Sequence, residues 1–172
     1  MAKPCLPDTF FVAHRRVKWG ECDPAGVVYT PRFSDYVVEA VNDFFEQMLG
    51  APLQKALVDL DLGIPAKALQ LVFRKSLWPE DRFVLSVSVA DIRSRSFDLI
   101  VRAVDTGGEE LFTAVFSGIC IYHGRRESRS IPQILRQGLE SYSQRFPSGS
   151  HAVVIDENKE TGKTAVTEGS DS

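Results

Sequence analysis

The sequence predicts an α+β fold in which one long helix lies on a curved antiparallel sheet. Apolar residues recur at every third or fourth position over residues 31–49, which is the period of an amphipathic helix. Several later segments, between residues 69 and 122, instead alternate with a period of two. A first strand, one helix and then a run of strands is an order typical of two-layer α+β domains.

Residues 10–19 are rich in β-branched and aromatic side chains and predict the first strand. Thr30 is a favourable N-cap, Pro31 suits the first helical position and Gly50 supplies a stop. The long helix should therefore have about five turns at 3.6 residues each. Because its apolar stripe is wider than a lightly covered surface helix needs, we expect the sheet to wrap around it.

The remaining elements follow from turn residues and from the change of period. A short helix over residues 53–60 begins after Pro52 and ends before Gly63. Strands are predicted over residues 69–74, 83–89, 97–104 and 111–122, and the pair Gly107-Gly108 predicts a hairpin between the last two. These strands should form a mostly antiparallel meander. A final helix over residues 131–146 is opened by Pro132.

The length and composition fit one domain. The chain has 172 residues, and a hydrophobic content of 44% is sufficient for a substantial core, predicted over residues 1–146. Residues 147–172 are rich in Ser, Gly, Lys, Glu and Thr and contain no aromatic residue. They are predicted to be a disordered C-terminal tail.

The charge and the cysteine pattern exclude several functional classes. A net charge of -3 gives no general attraction to nucleic acid or to an anionic membrane, so any anionic ligand needs a local cluster of arginines. No apolar run approaches bilayer length and the N-terminus lacks a secretory pattern, which predicts a cytoplasmic protein. The 3 cysteines and 3 histidines have neither CxxC nor HExxH spacing. Neither a metal site nor a disulfide framework is expected.

The most informative motif is GECDPAGVVY at residues 20–29, between the first strand and the long helix. It places the carboxylate of Asp23 near the N-terminus of that helix. Pro24 favours an extended Asp23, and Gly26 allows a bound group to approach the backbone closely. A carboxylate beside free amide donors suits attack on an acyl carbonyl. Taken alone, an Asp before Pro-Ala-Gly is also typical of an Asx turn.

This motif and its surroundings resemble those of hotdog-fold acyl-CoA thioesterases of the 4-hydroxybenzoyl-CoA thioesterase type. The resemblance covers residues 10–135 and extends less specifically through residues 93–97 and the last long strand to Ile131-Pro132. It implies the hotdog fold, a long central helix wrapped by a curved antiparallel sheet. It also implies a homodimer or homotetramer whose subunits pair through their sheets, with active sites at the subunit interface.

The resemblance implies roles for individual residues. The catalytic carboxylate falls on Asp23, and the backbone amide that polarises the thioester carbonyl falls at or next to Thr30. Gly26 and Tyr29 are predicted to bind substrate in the same loop. Tyr29, Phe33 and Tyr36 are candidates to line an acyl pocket, although aromatic residues at helical spacing are more often core. The residues expected to bind the CoA phosphates are Arg93, Arg95 and Ser96, with Arg129 as a second candidate. No metal or organic cofactor is required, because CoA is part of the substrate.

Two other residues compete with Asp23. Cys22 is adjacent to it, but no histidine is evidently paired with the thiol, so a buried structural cysteine is predicted. Glu39 lies on the polar side of the long helix and is predicted to belong to a solvated or interface-rim face. His14 and His123 have no visible partners and are treated as structural or surface residues.

The predicted function is hydrolysis of a small acyl-CoA, with an aromatic, hydroxybenzoyl-type acyl group as the first candidate. Asp23 acts either as the nucleophile or as a general base on water, and the sequence leaves both routes open. The alternatives are a hotdog module that binds acyl-CoA without hydrolysing it and a thioesterase for short aliphatic acyl-CoAs. A hotdog dehydratase is disfavoured, since the histidine arrangement of that group is not found.

Overall fold

The computed structural model of the protein describes residues 9–148. Its strands are β1 (Val12–Arg16), β2 (Leu62–Gly63), β3 (Ala66–Phe73), β4 (Arg82–Ile92), β5 (Ser96–Asp105), β6 (Glu110–Ile119) and β7 (Ile121–Tyr122). Its helices are α1 (Arg32–Leu49), α2 (Leu53–Asp59) and α3 (Gln133–Arg145), with a 3-10 turn at Trp19–Glu21. The predicted α+β class is confirmed.

The main sheet is antiparallel throughout and has the strand order β1-β4-β5-β6-β3, while β2 and β7 pair separately. The predicted meander is confirmed for β4, β5 and β6, whose second hairpin has Gly108 at φ +82°. It is wrong for β3, which pairs with β6 at the edge of the sheet. The connection over residues 74–81 leads away from that edge and passes the loop between the 3-10 turn and α1. There the Val28 N–H donates to the Leu77 carbonyl (2.9 Å).

Helix α1 supplies the centre of the core. Its buried face contains Phe33, Tyr36, Val37, Ala40, Val41, Phe44, Phe45 and Met48. The ring of Phe45 packs edge-on against Phe97 of β5 (centroids 5.6 Å apart), and that of Phe44 packs against Tyr142 of α3 (4.9 Å). This two-sided burial explains the wide apolar stripe in the sequence, because sheet and α3 both cover the helix.

The start of α1 differs from the prediction. The helix begins at Arg32, Pro31 occupies the cap position and no side chain caps the helix, so the assignment of Thr30 as N-cap is wrong. The Arg32 and Phe33 N–H groups donate to the carbonyls of Tyr29 (2.8 Å) and Thr30 (3.2 Å), three residues earlier. A short 3-10-like turn thus satisfies the first donors of the helix and leaves Thr30 just outside it.

Three strand boundaries also differ. The first predicted strand ends at Arg16, before the 3-10 turn. The predicted strand over residues 111–122 divides at Cys120, whose N–H donates to the Arg95 carbonyl (2.8 Å) and not to the sheet ladder. Strand β3 begins earlier than predicted, and its register shifts between Ala66 and Ala68. Strands as short as β2 and β7 cannot be predicted from periodicity, because two residues do not define a period.

The C-terminal boundary is described only in part. Helix α3 ends at Arg145, and the Ser148 hydroxyl donates to the Val89 carbonyl (2.7 Å), so the chain still contacts the sheet at residue 148. The rest of the predicted tail, residues 149–172, lies outside the described residues, as does Cys5. Over residues 9–148, none of the helices is long and apolar enough to cross a membrane.

Candidate active site

A tight loop between the 3-10 turn and α1 holds Asp23. The two arms of the loop pair through their backbones: the Asp23 N–H donates to the Val27 carbonyl, and the Tyr29 N–H to the Glu21 carbonyl (both 2.9 Å). Gly26 at the tip has φ +81°, a conformation that favours glycine, and its N–H donates to the Asp23 carbonyl (2.9 Å). The loop therefore has a defined conformation of its own.

The Asp23 carboxylate is half-buried and forms an Asx turn, since its Oδ1 accepts the Ala25 N–H (2.8 Å). The Asx turn that the motif suggests when taken alone is therefore present. The bond orients the side chain, and a carboxylate has capacity to accept several more hydrogen bonds. The Asx turn and a catalytic role for Asp23 are therefore compatible.

An open cleft of about 260 Å³ lies between this loop, the start of α1 and the segment that follows β3. It is lined by Val27, Val28, Thr30, Phe33, Phe73, Arg74, Lys75, Ser76 and Leu77. Of the predicted site residues only Thr30 lines the cleft directly. Asp23, Gly26 and Tyr29 lie in the adjoining loop, where the Tyr29 side chain is 54% exposed.

Several backbone amides of the cleft residues are available to a ligand. Within residues 9–148, the N–H groups of Val27, Thr30, Ser76 and Leu77 have no hydrogen-bond acceptor. The Thr30 amide is the last one before α1, since Pro31 has none, and it lies at the positive end of the helix dipole. Free donors at this position favour a negative charge on a bound oxygen.

Cys22 is half-buried and not buried as predicted, and its surroundings do not activate the thiol. Its Sγ lies 3.8 Å from the Lys18 carbonyl, and partial burial, followed by the charges of Glu21 and Asp23, raises the pKa of the thiol above its ordinary value. A thiol with a raised pKa stays protonated at neutral pH and is a poor nucleophile.

Glu39, the other competitor of Asp23, lies on the exposed face of α1. Its side chain is 60% exposed and forms an ion pair with Arg15 of β1 (3.6 Å). This placement agrees with a solvated face.

The predicted phosphate-binding arginines have different surroundings. Arg93 donates to the Asp98 carboxylate (2.5 Å) and lies 3.0 Å from that of Asp91, and this guanidinium lowers the pKa of Asp98. Arg129 donates from Nη1 to the carbonyls of Leu60 (2.9 Å) and Asp61 (2.8 Å) after α2. Both arginines thus support the local fold.

Of the predicted phosphate-binding arginines, Arg95 is the one most available to a ligand. It is exposed and its Nη1 donates to the Ser128 hydroxyl (3.0 Å). Over residues 9–148, Arg95 forms no ion pair with a carboxylate. Ser96 is half-buried, and its carbonyl accepts the Arg93 N–H (2.8 Å). The binding of CoA phosphate by these residues remains a prediction.

The structure does not bring the loop and the arginines together within one chain. The cleft lies at the C-terminal end of β3, at Phe73, whereas Arg95 precedes β5, whose first residue pairs with Ile119 beside the N-terminal end of β3. The 8 residues of β3 span roughly 26 Å at the usual rise of a strand. Within one chain, the two groups thus lie at opposite ends of β3.

Sequence analysis missed the far wall of the cleft, which consists of residues 74–77. Arg74 and Lys75 there pair with Glu110 (3.5 Å) and Glu109. No local pattern marks this segment, because it becomes part of the site only through the crossing of the chain after β3. Among the described residues, no group of three or more His, Cys, Asp or Glu is placed to hold a metal ion.

The fold is that of the hotdog proteins, and the loop that carries the Asp23 carboxylate lies at the N-terminus of the central helix. The chain belongs to the thioesterase-like superfamily, whose family model matches residues 17–139.

Individual proteins similar to this chain support the assignment. The 1,4-dihydroxy-2-naphthoyl-CoA hydrolase of Thermosynechococcus vestitus is 28% identical over 127 residues, which are 74% of this chain and 86% of that protein. A gentisyl-coenzyme A thioesterase of known structure is 25% identical, with a TM-score of 0.68 over 75% of this chain and 99% of its own. A Staphylococcus aureus protein solved in complex with CoA is 16% identical with a TM-score of 0.75, over 93% and 96% of the two chains. The predicted hotdog fold is confirmed by these structures.

Proposed function

We propose that the protein hydrolyses an aromatic acyl-CoA thioester to the free acid and CoA. The observation that carries this proposal is the Thr30 N–H, which has no acceptor within residues 9–148 and lies in a cleft beside the loop that fixes Asp23. An acyl oxygen bound at this amide is stabilised as negative charge develops on it. No cofactor is needed, because a thioester carbonyl is already electrophilic.

The Asp23 carboxylate supplies the second part of the chemistry by one of two routes. In the first it attacks the carbonyl carbon, CoA leaves as a thiolate that takes up a proton, and water then cleaves the resulting anhydride. In the second it removes a proton from the water that attacks the carbonyl, and CoA again leaves as a thiolate that takes up a proton. In ¹⁸O-labelled water, the first route labels Asp23 when water cleaves the anhydride at the Asp23 carboxyl carbon, and the second route never labels it. Label in Asp23 after a single turnover therefore establishes the first route.

The walls of the cleft favour a flat acyl group. Phe33 of α1 and Phe73 of β3 pack edge-on with centroids 4.9 Å apart, and Leu77 also lines the cleft. Aromatic walls of this kind bind a ring through offset or edge-on contacts. The similar hydrolase and thioesterase are named for naphthoyl and gentisyl groups, which are also aromatic.

A free-thiol assay across a panel of acyl-CoAs tests the proposed function. We expect release of CoA from benzoyl-, hydroxybenzoyl-, gentisyl- and dihydroxynaphthoyl-CoA at a higher kcat/KM than from acetyl- or hexanoyl-CoA. A preference for the aliphatic esters contradicts the aromatic assignment. Calorimetric binding of acyl-CoA without thiol release contradicts hydrolysis altogether and favours a binding module.

We also propose that the active unit is a homodimer paired through β3. This strand is an edge, so one row of its backbone N–H and C=O groups is open to a further strand. Its side chains are largely exposed and include the apolar Val72 (41%) and Phe73 (45%). A second copy of the chain covers such an edge by antiparallel pairing around a twofold axis.

This pairing unites the two halves of the predicted site. In an antiparallel pair of β3 strands, the C-terminal end of one strand lies beside the N-terminal end of the other. The cleft and Asp23 of one subunit thus come near Arg95 of the partner subunit. The arginine fork is suited to the phosphates of CoA.

Mixed dimers test this composite site. We expect Asp23→Asn and Arg95→Ala homodimers to lose most of their kcat/KM, the second through weaker binding of CoA. A heterodimer with one chain of each kind should recover about half of the wild-type value, because one of its two sites then combines an intact Asp23 with an intact Arg95. Heterodimers are isolated with two different affinity tags and assayed at low substrate concentration.

The reference for this experiment is a heterodimer of Asp23→Asn with a wild-type chain, which retains one intact site under either arrangement. If the Asp23→Asn and Arg95→Ala heterodimer stays as inactive as its parents, Asp23 and Arg95 act within one chain. A monomeric wild-type protein in light scattering also overturns the dimer.

A further inference from the structure

The side chain of Glu21 links three segments around the candidate active site. Its Oε2 accepts the Lys18 N–H (2.7 Å) at the start of the 3-10 turn and the Tyr36 hydroxyl (2.8 Å) from α1. Its main-chain carbonyl accepts the Tyr29 N–H (2.9 Å) at the end of the loop. One residue therefore fixes the entry of the loop, its exit and the helix against each other.

Tyr36 is the rigid member of this linkage. Its ring is 4% exposed and packs edge-on against Phe33 (6.2 Å) and Phe83 (5.2 Å). Burial, and then the bond to Glu21, raises the pKa of Tyr36 above its ordinary value. The hydroxyl thus remains a donor throughout the pH range in which the protein is assayed.

The linkage holds the residue that precedes the free Thr30 amide. The Tyr29 N–H donates to the Glu21 carbonyl, whereas the neighbouring Thr30 N–H has no acceptor within residues 9–148. Any displacement of Glu21 moves Tyr29, and with it the Thr30 amide and the arm that carries Asp23. Misplacement of a reacting group by about 1 Å is enough to reduce a rate by up to about 100-fold.

We propose that Tyr36 is a positioning residue that holds the Asp23 loop and the Thr30 amide in their reactive arrangement through Glu21. This inference rests on the proposed function, since it concerns the hydrolysis of an acyl-CoA. Tyr36 does not touch the reacting atoms in this scheme, and its effect reaches them through two of the hydrogen bonds that Glu21 accepts, those from Tyr36 and Tyr29.

The variant Tyr36→Phe removes only the hydroxyl. We expect its kcat to fall about 10-fold while KM stays within about twofold of wild type, because the walls of the cleft are unchanged. Glu21→Gln keeps an oxygen that accepts from Tyr36, so it should retain most of the activity. Glu21→Ala should match Tyr36→Phe, and the double variant should be no worse than Glu21→Ala alone, since both remove one linkage.

Tyr142→Phe is the matched control. Tyr142 is also a buried tyrosine of a helix, and its hydroxyl makes two hydrogen bonds, accepting the Phe11 N–H (3.0 Å) and donating to the Val87 carbonyl (2.9 Å). It links β4 to the residue that precedes β1, away from the loop. We expect this variant to lower Tm without changing kcat.

Amide hydrogen exchange gives a readout that does not depend on turnover. The Tyr29 N–H should exchange faster in Tyr36→Phe and at the wild-type rate in Tyr142→Phe, because only the first variant loosens its acceptor. A wild-type protein that hydrolyses no acyl-CoA refutes the proposed function but leaves this exchange test in force. The positioning role is overturned by wild-type kcat in Tyr36→Phe, by an equal loss of kcat in Tyr142→Phe, or by unchanged exchange at Tyr29.

Discussion

Asp23→Asn is expected to lower kcat at least about 100-fold while acyl-CoA binding is retained, because an amide neither attacks a thioester nor activates water, and general-base catalysis contributes about 10²–10⁴-fold. The amide oxygen still accepts the Ala25 N–H, so the Asx turn and the loop should persist. Thiol release measures the rate, and calorimetry with the intact substrate measures the affinity.

Two neighbouring substitutions serve as controls for Asp23→Asn. Cys22→Ser should remain near wild type, since burial and the adjacent carboxylates keep the pKa of this thiol raised and the thiol protonated. Glu39→Gln should do the same, because that side chain is solvated and paired with Arg15. Full activity of Asp23→Asn would show that Asp23 takes no part in the mechanism. A large loss of activity in Cys22→Ser or in Glu39→Gln would instead assign the catalytic role to the residue changed in that control.

Thr30→Pro is expected to have the second-largest effect, a fall in kcat of about 10²–10³-fold, which is typical for the loss of one oxyanion donor. The substitution deletes the backbone N–H that lies unpaired in the cleft, and no intramolecular hydrogen bond of that N–H within residues 9–148 is lost with it. Thr30 is outside α1 and makes no capping bond, so the helix itself should form.

The control for this experiment is Thr30→Ala, which keeps the amide and removes the hydroxyl. It should turn over acyl-CoA at close to the wild-type rate. Circular dichroism and Tm establish that both variants are folded. Equal activity of folded Thr30→Pro and Thr30→Ala contradicts the assignment of the oxyanion donor to this amide, whereas an equal loss in both assigns the effect to the side chain.

Sequence analysis predicted the parts of the molecule that depend on local interactions. Helix α1 was recognisable because its apolar period and its stop at Gly50, which has φ +65°, lie within one segment. The Asp23 loop was recognisable because Pro24 restricts the backbone at Asp23, and Gly26 permits a positive φ within the same few residues. The start of α1 was misjudged, because a turn through Tyr29 and Thr30 took the place of a side-chain cap.

The partners of β3 were not predictable in the same way. Chain order favours pairing with the next strand, but β3 pairs with β6, and Phe73 lies opposite Phe112 with Phe33 packed against both. This arrangement depends on contacts between residues far apart in the sequence, which local periodicity does not report.

The sequence was sufficient to predict an α+β domain with a carboxylate loop leading into a long central helix, and the motif in that loop indicated its family. Three features became visible only in the folded chain: the amide of Thr30 is free, Arg93 and Arg129 are engaged in the fold while Arg95 is available, and the loop and the arginines lie at opposite ends of β3. The reason is physical: turn and helix preferences act within a few residues, whereas hydrogen-bond partners and ion pairs depend on which distant segments the sheet brings together.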